Sequence, residues 1–86
     1  MASVYILKTK LGGFYIGSTT DLEKRLAHHR GGYTPSTLRL GVGELVLAQE
    51  YESLKDARSV EKKLKALKRK DYIEKMVQDG YIKLRP

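Results

Sequence analysis

Apolar residues along this chain follow two rhythms. From Val4 to Lys8 a short β-branched and aromatic run reads as a strand, and Phe14-Tyr15-Ile16-Gly17 reads as the strand that returns beside it. Lys10-Leu11-Gly12-Gly13 lies between them, with two glycines free to take positive φ, so the pair forms a hairpin. A third strand is expected over Glu44 to Tyr51, around Leu45-Val46-Leu47-Ala48. Elsewhere the period is helical. Leu54, Ala57, Val60, Leu64 and Leu67 recur at the spacing of one helix face, which should pack on the sheet.

Helix starts and stops can be placed from polar residues. Thr20-Asp21-Leu22-Glu23 has the form of a capping box, opening a helix that runs to about His29 or Arg30 and stops at Gly31-Gly32. Ser53, with Asp56 three residues on, opens the second helix, and Asp71-Tyr72-Ile73-Glu74 starts a short third one ending near Gly80. Residues 33–43, with Pro35 and two glycines, read as a loop. The order is β-β-α-β-α-α: an α+β domain in which a small three-stranded antiparallel sheet is flanked by helices.

Length and composition narrow this further. Eighty-six residues, 41% hydrophobic and 31% charged, make a single folded domain spanning 1–86, with a small core and any site in a shallow cleft. No Cys is present, so neither a disulfide nor a thiolate metal site is available. The apolar stretch at the N-terminus is too short for a signal peptide or a membrane span, so a cytoplasmic protein with no membrane partner is expected. Seventeen Lys and Arg against ten Asp and Glu give a net charge of +7, which favours nucleic acid as partner. The run from Lys62 to Lys70 carries six cations and no acid, where a solvated helix usually interleaves signs. Lys62, Lys65, Lys68 and Arg69 are therefore candidate phosphate contacts.

Several residues have two readings. On the first helix Arg25 and His29 border the Leu22–Leu26 stripe, as a snorkelling Arg and half-buried His would, or as groups aimed into a site. On the second helix Glu61 falls on the flank of the apolar face, between Leu54 and Ala57. It is either a buried ligand or the i, i+4 ion-pair partner of Lys65. Tyr5 and Tyr15 on the hairpin strands suit packing as well as chemistry.

Together these residues resemble the GIY-YIG nuclease family. Ser3-Val4-Tyr5 stands where that family has its first tripeptide, and Tyr15-Ile16-Gly17 is its second, ten residues on. Asp21-Leu22-Glu23-Lys24-Arg25-Leu26 followed by His29 is similar to its Arg–His helix, and the segment from Ala57 to Lys65 to its metal-binding helix. The chain is most similar in size to small stand-alone bacterial members. It departs from the family in the first tripeptide, in having no Asn, and in the Thr34-Pro35-Ser36-Thr37-Leu38-Arg39 stretch.

The resemblance implies a metal-dependent endonuclease that hydrolyses DNA in repair, recombination or processing. It implies Tyr5, Tyr15, Arg25, His29 and Glu61 as catalytic groups, and Glu61 as ligand of one Mg²⁺ or Mn²⁺. Arg25 would grip the scissile phosphate. Tyr5 would orient the attacking water or take its proton, with His29 as proton acceptor. Tyr15 would hydrogen-bond the phosphate or its water, and Gly17 would let the substrate approach. Ser18, Thr19 and Lys24 would add contacts to the strand. A non-catalytic nucleic-acid-binding module on the same scaffold is the alternative. So small a surface also leaves room for a protein partner that supplies specificity.

Overall fold

The computed structural model describes residues 1–9, 12–30, 44–67 and 69–86, the side chains at 28–30 excepted. Its elements run β1 (Ala2–Lys8), β2 (Phe14–Thr19), α1 (Leu22–Arg30), β3 (Glu44–Tyr51), α2 (Leu54–Leu67) and α3 (Lys70–Asp79). The expected order and fold class are both present. The loop expected over residues 33–43, the Gly31-Gly32 stop, and Lys10, Leu11 and Lys68 lie outside the described residues.

The sheet is three-stranded and antiparallel, ordered β2-β1-β3, so β1 is central and β2 has one open edge. Gly12 closes the hairpin at φ +84°, a conformation that side chains disfavour, with its N–H donating to the Thr9 carbonyl at 3.0 Å. β1 alternates as a pleated strand must. Ala2, Val4 and Ile6 enter the hydrophobic core beneath α2, where Ala57, Val60 and Leu64 are fully buried. Ser3, Tyr5 and Leu7 therefore project to the opposite face.

Two helix starts differ from expectation. α1 is capped by Asp21, whose Oδ1 accepts from the Lys24 N–H at 3.1 Å, and not by Thr20. β2 pairs with β1 as far as Thr19, and the Thr19 hydroxyl accepts from the Asp21 N–H at 3.1 Å, so the cap shifts by one residue. α3 begins at Lys70 behind Arg69, without a side-chain cap, because Asp71 pairs with Arg69 at 3.0 Å instead. The start of α2 and the end of α3 agree with expectation, while β1 begins two residues earlier and β2 ends two residues later than expected. Ser53 Oγ accepts from the Asp56 N–H at 3.1 Å, and Gly80 ends α3 in the left-handed region at φ 82°. Among the described residues no helix is long and apolar enough to cross a membrane.

The segment after α3 is tied to β3 by one side chain. The Gln49 amide accepts from the Ile82 N–H at 2.8 Å and donates to the Ile82 carbonyl at 3.3 Å, while Ile82 itself is buried. Gln49→Ala is expected to destabilise the fold by about 1–3 kcal/mol, because it leaves the Ile82 groups without that partner. Urea unfolding should show the loss, and hydrogen exchange should quicken at Ile82. An unchanged midpoint with unchanged exchange would mean the clamp is incidental.

Candidate nuclease site

The site lies along the open edge of β2, where groups from both faces of the sheet meet. Tyr5 comes from the central strand and is only 1% exposed. Its pairing partner across the sheet is Gly17. A Cβ built at position 17 would fall 2.6 Å from Tyr5 Cζ and 3.0 Å from its Cε1, closer than atoms can pack. The glycine is thus needed for the Tyr5 ring, which crosses β2 in the space a side chain would take. That is a different reason from the substrate approach expected for it. Tyr15, two residues from Gly17 on the same face, stacks on Tyr5 with ring centroids 6.4 Å apart and planes 29° apart.

Glu61 reaches the same edge from the other face. Ser18 stands opposite Val4, so its hydroxyl points toward α2 and donates to Glu61 Oε1. Glu61 Oε2 accepts from Lys65 Nζ at 2.6 Å. Burial works against the Glu61 charge, but the Lys65 and Ser18 hydrogen bonds and the charges of Lys65 and Arg58 outweigh it and lower its pKa. The carboxylate therefore stays ionised down to below the ordinary carboxylate range.

Tyr5 senses the whole set. Burial pushes its phenol from 10.0 up to about 12, Tyr15 and Glu61 push in the same direction, and the Arg25 guanidinium opposes them. Of these groups Tyr15 is in ring contact with Tyr5, while the charges of Arg25 and Glu61 act on its hydroxyl in opposite directions. Arg25 itself is exposed on α1 and, with Lys24, Thr19, Thr20 and Asp21, lines a polar hollow of about 510 Å³. The Thr19 hydroxyl is engaged by the Asp21 backbone. His29 lies on α1, one turn after Arg25, with its side chain outside the described residues.

The basic run divides by direction. Lys62 and Lys65 join Arg58 and Glu61 around a second hollow. Lys65 also borders a third cleft of about 430 Å³, with Arg69 and Lys70 on its rim and Phe14, Ile16, Leu64 and Ile73 among its apolar walls. Lys63 turns away to donate to the Arg85 carbonyl at 2.8 Å. The run is therefore not one uniform phosphate-facing surface. Arg69 is shared with Asp71 and with the Tyr72 ring, 4.6 Å from its guanidinium carbon. Arg58 escaped the sequence reading; its only signal was its place three residues before Glu61.

Among the described residues no group of three or more His, Cys, Asp or Glu is gathered as a metal cage. Among the described residues the oxygen donors here are the Glu61 carboxylate and the Ser18 hydroxyl, hard oxygens that are hydrogen-bonded to each other, with Lys65 on the second carboxylate oxygen. Such a set suits a cation that keeps most of its waters and shares a phosphate, as Mg²⁺ or Mn²⁺ does.

Comparison with known proteins gives a consistent result. The family pattern described as the GIY-YIG catalytic domain matches residues 1–76. A UPF0213 protein of Streptococcus pneumoniae serotype 4 is 40% identical over 72 residues, covering 79% of this chain and 70% of its own. One from Serratia liquefaciens is 51% identical over 45 residues, covering 52% of this chain and 43% of its own. The solution NMR structure of a UPF0213 protein from Bacillus halodurans superposes with a TM-score of 0.59 at 32% identity, covering 93% of this chain and 87% of that one.

Proposed function

Because the chain belongs to the GIY-YIG family, whose domains are usually nucleases, we propose that it is a divalent-metal-dependent endonuclease that hydrolyses a DNA phosphodiester bond. Residues 1–86 act as one nuclease domain, in DNA repair, recombination or processing. The observation that carries the reading is that β2 gathers the groups: Tyr15 stacks on Tyr5, Ser18 holds Glu61, and Thr19 shares a hollow with Arg25, in a chain with net charge +7.

Each group has a task its chemistry suits. Arg25, exposed at the mouth of its hollow, grips the scissile phosphate with a planar two-pronged donor. The Tyr5 hydroxyl, held neutral by its raised pKa, orients the attacking water and is a poor base at neutral pH. His29, one turn beyond Arg25, is the group suited to accept the proton. Tyr15 hydrogen-bonds the phosphate or its water. Glu61, steadied by Ser18, would hold one Mg²⁺ or Mn²⁺, and that ion when bound would supply positive charge to the leaving oxygen. Lys24, Arg58, Lys62, Lys65 and Arg69 would track the flanking strand, making binding steeply salt-dependent.

A second reading, a nucleic-acid-binding module that cuts nothing, is favoured by one observation: both Glu61 oxygens already have protein partners. Incubation of the protein with single-stranded, duplex and branched DNA and Mg²⁺ separates the two. Cleavage is expected, falling about 10²–10³-fold in Glu61→Ala and in Arg25→Ala, the usual cost of removing a charge-stabilising group. Equal cleavage by all three proteins would reject the site. Salt-sensitive binding without cleavage under Mg²⁺ or Mn²⁺ would establish the second reading.

A further inference from the structure

Lys65 has a second contact that tracking the strand does not account for. It binds Glu61 Oε2, one of the two oxygens of the carboxylate proposed to hold the ion, and it borders both the hollow around Glu61 and the apolar-walled cleft beside Tyr15 whose rim carries Arg69 and Lys70. Its side chain is 56% exposed, so it is free to swing between the two. Glu61 precedes Lys65 by four residues, the favourable order for a helix pair; the carboxylate is 19% exposed but the ammonium end is in solvent, where a competing phosphate can draw it away.

We propose that Lys65 is a two-position switch that couples metal binding to strand binding, an inference that rests on Glu61 being the metal ligand. Without nucleic acid, Lys65 covers the Glu61 carboxylate and competes with a cation for it. When a phosphate enters the cleft rimmed by Arg69 and Lys70, the Lys65 ammonium turns to that phosphate and uncovers Oε2. Strand and ion then each raise the other's affinity, and by linkage the factor is the same in both directions. The arrangement disfavours ion uptake at Glu61 before a substrate is in place.

Mn²⁺ titration of the full chain, followed by electron paramagnetic resonance, tests this without turnover. It is done alone and with a phosphorothioate DNA oligonucleotide, on wild type, Lys65→Met, Lys62→Met and Glu61→Gln. Lys62→Met is the control for loss of a nearby charge, because Lys62 lines the same hollow as Glu61. Without oligonucleotide, Lys65→Met is expected to bind Mn²⁺ about fivefold more tightly than wild type, and Lys62→Met to change by much less. The oligonucleotide should strengthen Mn²⁺ binding more in wild type than in Lys65→Met. Equal gains in the two lysine variants, no gain in Lys65→Met, or equal coupling in wild type and Lys65→Met would each overturn the switch. Glu61→Gln separates this failure from that of the metal site. If it loses Mn²⁺ while Lys65→Met behaves as wild type, only the switch falls. If it binds as wild type does, both fall.

Discussion

Replacing Gly17 with alanine is expected to lower both stability and cleavage, although the change adds a single methyl group. The Cβ would meet the Tyr5 ring at 2.6 Å, and the ring is 1% exposed, so it has no open space to retreat into. β1 is held by strands on both sides, which leaves the backbone little freedom to shift. Overpacking of this kind costs about 1–3 kcal/mol, and each kcal/mol lowers the melting temperature of a domain this small by about 4–8 °C. If the ring moves instead of the backbone, the Tyr5 hydroxyl leaves the place where it is stacked beside Tyr15 and feels the charges of Arg25 and Glu61. A misplacement of about 1 Å can cost about 10²-fold in rate. Thermal melting and single-turnover cleavage measure the two effects. The cause is isolated by repeating the change in a Tyr5→Leu background, where the stability cost should largely vanish, since contacting residues couple. A Gly17→Ala protein that melts with wild type, or a cost unaltered by Tyr5→Leu, would show that the ring does not need that space.

That dependence was invisible along the chain, and the reason is register. Tyr5 and Gly17 are brought opposite by strand pairing, and nothing local to either residue announces it. The strands themselves were legible because short β-branched and aromatic runs between glycines have few other uses. β1 and β2 each reach further than their apolar residues suggest. Pairing of Ser3 with Thr19 and of Ala2 with Tyr51 continues the ladder through residues with weak strand signals of their own. The same extension of β2 moved the α1 cap from Thr20 to Asp21. Helix α2 was legible for the opposite reason, since its apolar face is set by local spacing alone. Glu61 was readable only as a choice between ion pair and ligand. The Lys65 pair follows from the i, i+4 spacing. The Ser18 hydroxyl that orients the carboxylate comes from 43 residues away, so no window on the sequence contains both.

The other large effect is expected from Tyr5→Phe, which removes one oxygen from the centre of the site and little else. Phenylalanine keeps the ring that stacks on Tyr15 and fills the space above Gly17, so the core should survive. The lost hydrogen-bonding group costs about 0.5–1.5 kcal/mol. Cleavage should fall about 10²–10⁴-fold, the range for a group that handles the proton or holds the attacking water, with strand binding nearly unchanged. An alkaline titration gives a signature independent of cleavage. Folding raises the Tyr5 pKa from 10.0 to about 12, so the folded state favours the neutral phenol. Its stabilising contribution is fully present below about pH 10 and is lost as pH rises towards 12, because the unfolded chain ionises first. Wild type should therefore lose more stability than Tyr5→Phe between pH 9 and about pH 11, as read from urea midpoints. Parallel losses in the two proteins would mean the phenol is not desolvated as its burial demands. Full cleavage by Tyr5→Phe would leave water activation to His29 or to the cation's own hydration shell, and Tyr5 would then be a packing residue that happens to lie among charges.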